Sequence, residues 1–248
     1  MSKVIALINQ KGGVSKTTST LNIGYFLSLK SRVLLIDFDP QRDLTKSFGI
    51  SEEQFSIIDL LNNKKFTPTN VKKNIDIVVG SRQLEAYKLK KNSFKDVIEP
   101  LKKEYDYILI DCQPKMIIDE VLTINEVILN GTDFILIPLV ADINTVNGAF
   151  EFLNSIERIQ NTSNPNLKVL GMFFNRISTT KVLYKQLYNH LTHLNEDIVF
   201  RKTIRQSESV PQAIAMQKSV GEYAPNSIGA YDYKLFTNDI IKKLKTFD

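Results

Sequence analysis

Six short apolar runs recur along the chain at intervals that leave room for a helix between them. They are "VIALIN" (4–9), "RVLLIDF" (32–38), "IDIVVG" (75–80), "YILIDC" (107–112), "FILIPLV" (134–140) and "VLGMFFN" (169–175). Each is nearly continuous in Val, Ile, Leu and Phe, the pattern of a strand covered on both faces. Helical periodicity is expected over Thr17–Leu29, Ser93–Glu104, Val146–Gln160, Thr180–Leu191 and Lys234–Lys245, and "NTSNPN" (161–166) is the clearest loop. Strands alternating with helices demand right-handed crossovers and a mostly parallel, doubly wound sheet flanked by helices. At 248 residues, 43% of them hydrophobic, one such α/β domain spanning 1–248 is expected.

The first run ends in "INQKGGVSKTTST" (8–20), where a glycine-containing turn leads into a helix. Backbone N–H groups at such a junction form an anion site. Aligned with G-x-x-x-x-G-K-[ST], the window is Gln10-Lys11-Gly12-Gly13-Val14-Ser15-Lys16-Thr17, and both outer glycines are missing. Even so, Lys16 is placed to reach the β- and γ-phosphates and Thr17 to offer a hydroxyl to Mg²⁺. The second lysine, Lys11, is not required by the plain pattern.

"KGGVSKTT" resembles the deviant Walker A motif "KGGVGKTT" of the ParA/MinD ATPases, and the preceding "NQ" resembles the chromosome-partitioning Soj branch of that family. The resemblance implies a P-loop NTPase that binds ATP and Mg²⁺, with Lys11, Gly12, Gly13, Val14, Ser15, Lys16, Thr17 and Thr18 around the phosphates. It also implies a homodimer formed with ATP, in which Lys11 crosses to the partner's nucleotide. Ser15 replaces glycine beside the β-phosphate, where close approach and unusual φ favour glycine; slow hydrolysis is expected.

Two acids close the second run, Asp37 and Asp39. Residues two apart on a strand share a face, which would turn both toward the phosphates. The stretch resembles the family's switch I, implying that Asp39 orients the attacking water and Asp37 supports magnesium. "YILIDCQP" (107–114) matches the Walker B strand, with Asp111 holding Mg²⁺ through water. The family's "DCPPS" is here "DCQPK", which frees a backbone position and adds Lys115. The lone Cys112 reads as a small buried side chain, and a single cysteine excludes a disulfide framework.

The likeness extends nearly end to end. "GTDFILIPLVADINTVNGAFEFL" (131–153) resembles the family's "ADxVLIP" strand and following helix. "FFNRI" (173–177) resembles the strand end whose asparagine reads adenine, here Asn175. "FRKTIRQSESV" (200–210) resembles "IPRNVRLSEAPS" of Soj-like proteins, which implies nonspecific DNA contacts from Arg201, Lys202 and Arg205. A formal net charge of +5 is compatible with an anionic polymer or membrane surface without choosing between them.

The resemblance as a whole implies a cytoplasmic, nucleoid-associated DNA-partitioning ATPase released by a ParB-like centromere-binding partner. Because the phosphate loop begins about ten residues in, no N-terminal helix-turn-helix domain is expected. No apolar run approaches the roughly 18 residues of a transmembrane segment. Two alternatives stay open. One is a MinD-like membrane-cycling ATPase using the amphipathic tail 234–248; the other is a nucleotide-dependent scaffold with negligible turnover because of Ser15. The cargo (plasmid, chromosome or protein cluster) is left open too.

Overall fold

A computed structural model describes residues 2–51, 55–65, 67–115, 117–118 and 121–247. Seven strands form one sheet: β1 (Lys3–Leu7), β2 (Val33–Phe38), β3 (Thr69–Lys72), β4 (Ile75–Val78), β5 (Tyr107–Cys112), β6 (Phe134–Leu139) and β7 (Lys168–Phe174). Their order is β3-β4-β2-β5-β1-β6-β7. All six expected strands are present and pair in parallel. Every residue of β2 and β6 is buried, which explains why their sequences carry no polar alternation.

The unexpected strand is β3, an antiparallel edge with the polar sequence TNVK. Its four residues are half-buried or exposed, so its pattern offered no apolar run to read. Polar side chains at a sheet edge discourage pairing with another chain.

Among the described residues ten α-helices flank the sheet: α1 (Lys16–Ser28), α2 (Asp43–Lys46), α3 (Ile57–Leu61), α4 (Ser93–Leu101), α5 (Ile124–Asn130), α6 (Ile143–Thr162), α7 (Val182–Leu194), α8 (Ser209–Ala215), α9 (Val220–Tyr223) and α10 (Ile228–Leu244). Helices α3 to α7 contribute Ile57, Phe94, Val127, Phe152 and Leu191 to the core on one face of the sheet. On the other face α1, α8, α9 and α10 bury Leu21, Ile23, Ala213, Val220, Tyr233 and Phe236.

Three helix starts differ from the expectation, two of them because of a side-chain cap. α6 begins at Ile143 rather than 146 because the Asp142 side chain caps it, accepting from Thr145 N at 2.9 Å. It also runs on through Asn161 and Thr162, so the loop expected at 161–166 starts later. α10 begins at Ile228, six residues before its apolar stripe, because Ser227 accepts from Ala230 N at 3.2 Å. α7 runs Val182–Leu194 where Thr180–Leu191 was expected.

The chain leaves β1 toward β2 on one side and later returns to β6 and β7 on the other. β1 is thus flanked by β5 and β6, and the carboxyl ends of these strands border a crevice at the topological switch point.

Candidate nucleotide site

The loop after β1 is stapled to its neighbours by Asn9. Its Nδ2 donates to the Pro138 carbonyl at 2.9 Å, and its Oδ1 accepts from Lys11 N at 2.9 Å. Gly13 takes φ +74°, a conformation natural to glycine. Ser15 takes φ +71° and ψ +35° at the mouth of α1, so the serine holds the left-handed backbone that glycine would adopt freely. Its hydroxyl makes no capping bond. A Cβ placed on Gly12 or Gly13 would meet nothing within 4 Å, so the space above both glycines is open to a ligand.

Lys16 is 7% exposed, and its Nζ donates to the carbonyls of Asn9 and Lys11, each at 3.2 Å. Burial lowers its pKa, opposed by the charges of Asp111, Cys112 and Asp39. The Lys16 amine is therefore buried under the loop, with acidic groups around it. Lys16, Thr17, Thr18, Gly12, Gly13 and Asp39 share the wall of a cavity of about 670 Å³. Val14 is fully buried and anchors the loop from below.

The acids divide their work differently from the expectation. Asp111, the penultimate residue of β5, has both carboxylate oxygens buried, with the Thr17 hydroxyl nearby but no hydrogen bond of ordinary geometry among the described residues. Burial raises its pKa well above the ordinary carboxylate range; Asp37 and Asp39 add to this, against Thr17 and Lys16. Asp37 is fully buried, and both of its oxygens are engaged. Oδ1 accepts from Asp39 N at 3.1 Å, and Oδ2 accepts from Thr45 N at 2.9 Å and Thr45 Oγ1 at 2.6 Å.

Asp37 therefore anchors the turn into α2 rather than facing a metal beside Asp39. The two-residue alternation fails because β2 ends at Phe38, leaving Asp39 on the turn. Asp39 lines the cavity, with its Oδ1 accepting from Gln41 N.

A buried carboxylate next to a threonine hydroxyl fits a hydrated divalent cation. Among the described residues no three of His, Cys, Asp and Glu come together to hold a metal by themselves. A magnesium ion at Asp111 and Thr17 would thus need further oxygen donors from water and from phosphates, the usual situation for that ion. Cys112, fully buried, has its thiol pKa raised first by burial and is inert packing, as the sequence suggested.

Lys11 is exposed, and its Nζ pairs with Asp142 at the cap of α6 in the same protomer. Asp142 was not among the residues singled out from sequence. A D-x-x-T cap signature at 142–145 was the available signal.

A second cavity of about 300 Å³ adjoins the loop and is lined by Ser15, Thr18, Asn175, Arg176 and the segment 204–208. Asn175 is 2% exposed, and its Nδ2 donates to Ser19 Oγ at 2.9 Å and Tyr233 OH at 3.1 Å. Only its carbonyl oxygen is left for a ligand. Arg176, not singled out from sequence, donates from Nη1 to the Gly13 carbonyl at 3.2 Å and so ties the end of β7 to the loop.

The three basic residues expected at a DNA surface have different fates. Arg201 is exposed and pairs with exposed Glu196 at 2.6 Å. Lys202 is exposed. Arg205 is not a free cation: its Nε and Nη2 fork onto both oxygens of Asp232, at 2.9 and 2.6 Å. Asp232 lies one residue before Tyr233 on α10, and sequence spacing alone gave no hint of that partner.

Residues 2–169 match the family model of an AAA domain. The chain is 30% identical to the sporulation initiation inhibitor protein Soj of Bacillus subtilis, over 94% of this chain and 96% of Soj. A candidate plasmid partition protein of Borrelia burgdorferi, solved with AMPPNP bound, is 25% identical, with a TM-score of 0.79 and 100% of each chain covered. The apo form of McdA from Cyanothece has a TM-score of 0.85 at 19% identity, covering 97% of this chain and 100% of that one, and speaks for the fold alone.

Proposed function

Given that the chain belongs to the ParA/MinD family of P-loop ATPases, we propose that it is a DNA-partitioning ATPase that closes into a dimer on binding ATP and Mg²⁺. One observation carries this reading: Asp111 presents two buried oxygens with no hydrogen bond of ordinary geometry, beside Thr17 and Lys16, under a glycine turn with open space above it. A carboxylate left unsatisfied in the interior is costly unless a ligand completes it.

In this reading the loop backbone of residues 11–18 and the Lys16 ammonium bind the phosphates. Thr17 and Asp111 hold the magnesium, which neutralises charge developing on the transferred phosphoryl group. Asp39 orients the attacking water and accepts its proton. The carbonyl of Asn175 faces the adenine amine in the smaller cavity. Lys11 leaves Asp142 and reaches the partner's phosphates. That exchange is inexpensive, because an ion pair between side chains each 42% exposed contributes little.

Ser15 already holds the glycine-like backbone, which supports a working loop with slow turnover rather than an inert scaffold. The apolar face of α10 lies in the core, so the same segment is a poor membrane anchor. No helix among the described residues is long and apolar enough to cross a membrane.

Exposed Lys202 and Arg201 are the side chains proposed to meet DNA phosphates without sequence preference. A centromere-bound, ParB-like partner would stimulate hydrolysis and release the dimer. The setting proposed is the cytoplasm, on the nucleoid, with the whole chain acting as one ATPase domain.

The test is ATP-dependent dimerisation and DNA retention by light scattering and filter binding, for the wild type and Lys11→Ala. The wild type should dimerise and retain DNA with ATP and not with ADP, and Lys11→Ala should do neither. A wild-type chain that stays monomeric with ATP and magnesium contradicts the proposal.

A further inference from the structure

Two adjacent residues of α10 grip two of the residues that line the smaller cavity, Arg205 and Asn175. Asp232 takes three hydrogen bonds from Arg205: from the backbone N at 3.0 Å, from Nε at 2.9 Å and from Nη2 at 2.6 Å. Tyr233, fully buried, joins its hydroxyl to Asn175 Nδ2 at 3.1 Å and Ser19 Oγ at 3.2 Å. The segment gripped by Asp232 is also bonded along one side to the end of β7. Ile204 N donates to Phe174 O, Ile177 N to Ile204 O and Gln206 N to Ile177 O, all strand-like bonds to the end of β7.

The close packing of Gly229 continues the same contact. A Cβ there would come within 2.7 Å of Val210 and 3.2 Å of the Ser207 hydroxyl. α10 thus acts as a backboard whose first two turns fix where residues 204–208 and Asn175 stand.

We infer that Arg205 and Asp232 are positioning residues of the nucleoside cavity, and that Arg205 is not a DNA contact. The charge arithmetic supports the assignment. Asp232 is 7% exposed at its side chain, Arg205 is 40% exposed, and the fork is bidentate. A guanidinium committed to a mostly buried carboxylate has its charge neutralised where a DNA phosphate would need it. Leaving DNA contact to Arg201 and Lys202 costs no buried partner. The fork also fixes the backbone of Arg205 itself, because Asp232 accepts from its N–H as well as from its side chain. Loss of either partner therefore shifts the cavity wall and leaves the phosphate loop, anchored by Asn9 and Arg176, in place.

This inference rests on the proposed nucleotide site, and the experiment separates the two. Calorimetry in magnesium measures uptake of ATP and of inorganic tripolyphosphate, which has phosphates and no nucleoside. The proteins are the wild type, Arg205→Ala, Asp232→Asn, the Arg205→Ala/Asp232→Asn double variant and Tyr233→Phe. DNA retention is measured at saturating ATP across a salt series.

Arg205→Ala and Asp232→Asn should each weaken ATP binding about tenfold, non-additively in the double variant, with tripolyphosphate affinity and DNA retention unmoved. Tyr233→Phe removes one hydroxyl, keeps the ring in the core, and should show the same split. It supplies the answer where Arg205→Ala fails to fold.

Stronger DNA retention by Asp232→Asn with loss in Arg205→Ala, at unchanged ATP affinity, would make Arg205 a DNA cation restrained by Asp232 and overturn the inference. A parallel fall in ATP and tripolyphosphate binding would reduce the fork to general stability and overturn it too. Absence of ATP uptake by the wild type would overturn the proposed function as well; wild-type uptake with unmoved variants overturns only the inference.

Discussion

Asp37 and Asp111 are register partners on the neighbouring strands β2 and β5, and only Asp37 has its carboxylate satisfied. Three hydrogen bonds from Thr45 and Asp39 occupy Asp37, while Asp111 has only the nearby Thr17 hydroxyl and no bond of ordinary geometry among the described residues. Asp111→Asn should therefore lower magnesium-dependent ATP affinity at least about tenfold, since one charged ligand contact is removed. The ligand-free fold should remain at least as stable, because a neutral amide replaces a buried carboxyl. Titration of fluorescent nucleotide with magnesium and with chelator reads the first effect, and thermal melting the second. Unchanged magnesium dependence would remove Asp111 from the site.

The same pair makes the ligand-free protein pH-sensitive. Burial pushes the pKa of Asp37 up to about 6, against the bonds from Thr45 and Asp39. The unfolded carboxyl titrates near 3.9, so between about pH 4 and 6 the folded state holds a proton that the unfolded state has lost. Stability contributed by that proton is present at low pH and disappears as pH rises through about 6. The loss is on the order of 2–3 kcal/mol. Asp111, also raised, adds to it in the same direction. Urea midpoints without nucleotide should fall from pH 5 to pH 7.5, and Asp37→Asn should flatten part of that slope. A midpoint that rises over this interval contradicts the assignment.

Ser15→Gly should stabilise the ligand-free protein by about 0.5–1 kcal/mol. The left-handed backbone costs serine about 1–2 kcal/mol, part of which is returned by the greater unfolded-state freedom of glycine. No hydroxyl bond is lost, since none caps the helix. Turnover should rise with the substitution, as the Cβ leaves the β-phosphate approach. Equal urea midpoints and equal rates in the two proteins would leave the serine without consequence.

Phe236→Ala should cost about 3–5 kcal/mol, the usual loss for a large aromatic in a core. The ring is fully buried, 4.3 Å from the Phe173 centroid and 5.1 Å from that of Phe200. A tail evolved to lie on lipid would lose little stability on the same change. Vesicles of anionic phospholipid should also fail to sediment the wild-type protein with ATP. Strong sedimentation, together with an unaltered melting point for Phe236→Ala, would restore the membrane reading.

Lys202→Ala should weaken DNA retention uniformly across sequences and reduce the salt slope by about 1, the signature of one lost phosphate contact. An unchanged slope would move the DNA surface elsewhere.

Local order was legible in the chain because it depends on neighbours in sequence. Continuous apolar runs specified six strands, and the turn at 8–20 specified a phosphate loop, down to the unusual backbone at Ser15. Asp111 was legible for the same reason, as the last acid on a buried strand. The short helices α2, α3, α5, α8 and α9 and the polar edge strand β3 were not, since each spans seven residues or fewer and packing decides their existence.

What the tertiary structure alone decided is which charges remain free. Lys11 meets Asp142 across 131 positions, and Arg205 meets Asp232 across 27. Asp37, still inside β2, is taken up by Thr45 eight residues on, while Asp39 lies past the strand's end on the turn. The apolar stripe of α10 is equally suited in sequence to lipid or to a core, and the aromatic surface of Phe173 and Phe200 claimed it. Sequence periodicity fixes the face of an element, but the partner of a side chain depends on where the fold brings distant segments together, and that partner determines whether a charge can act.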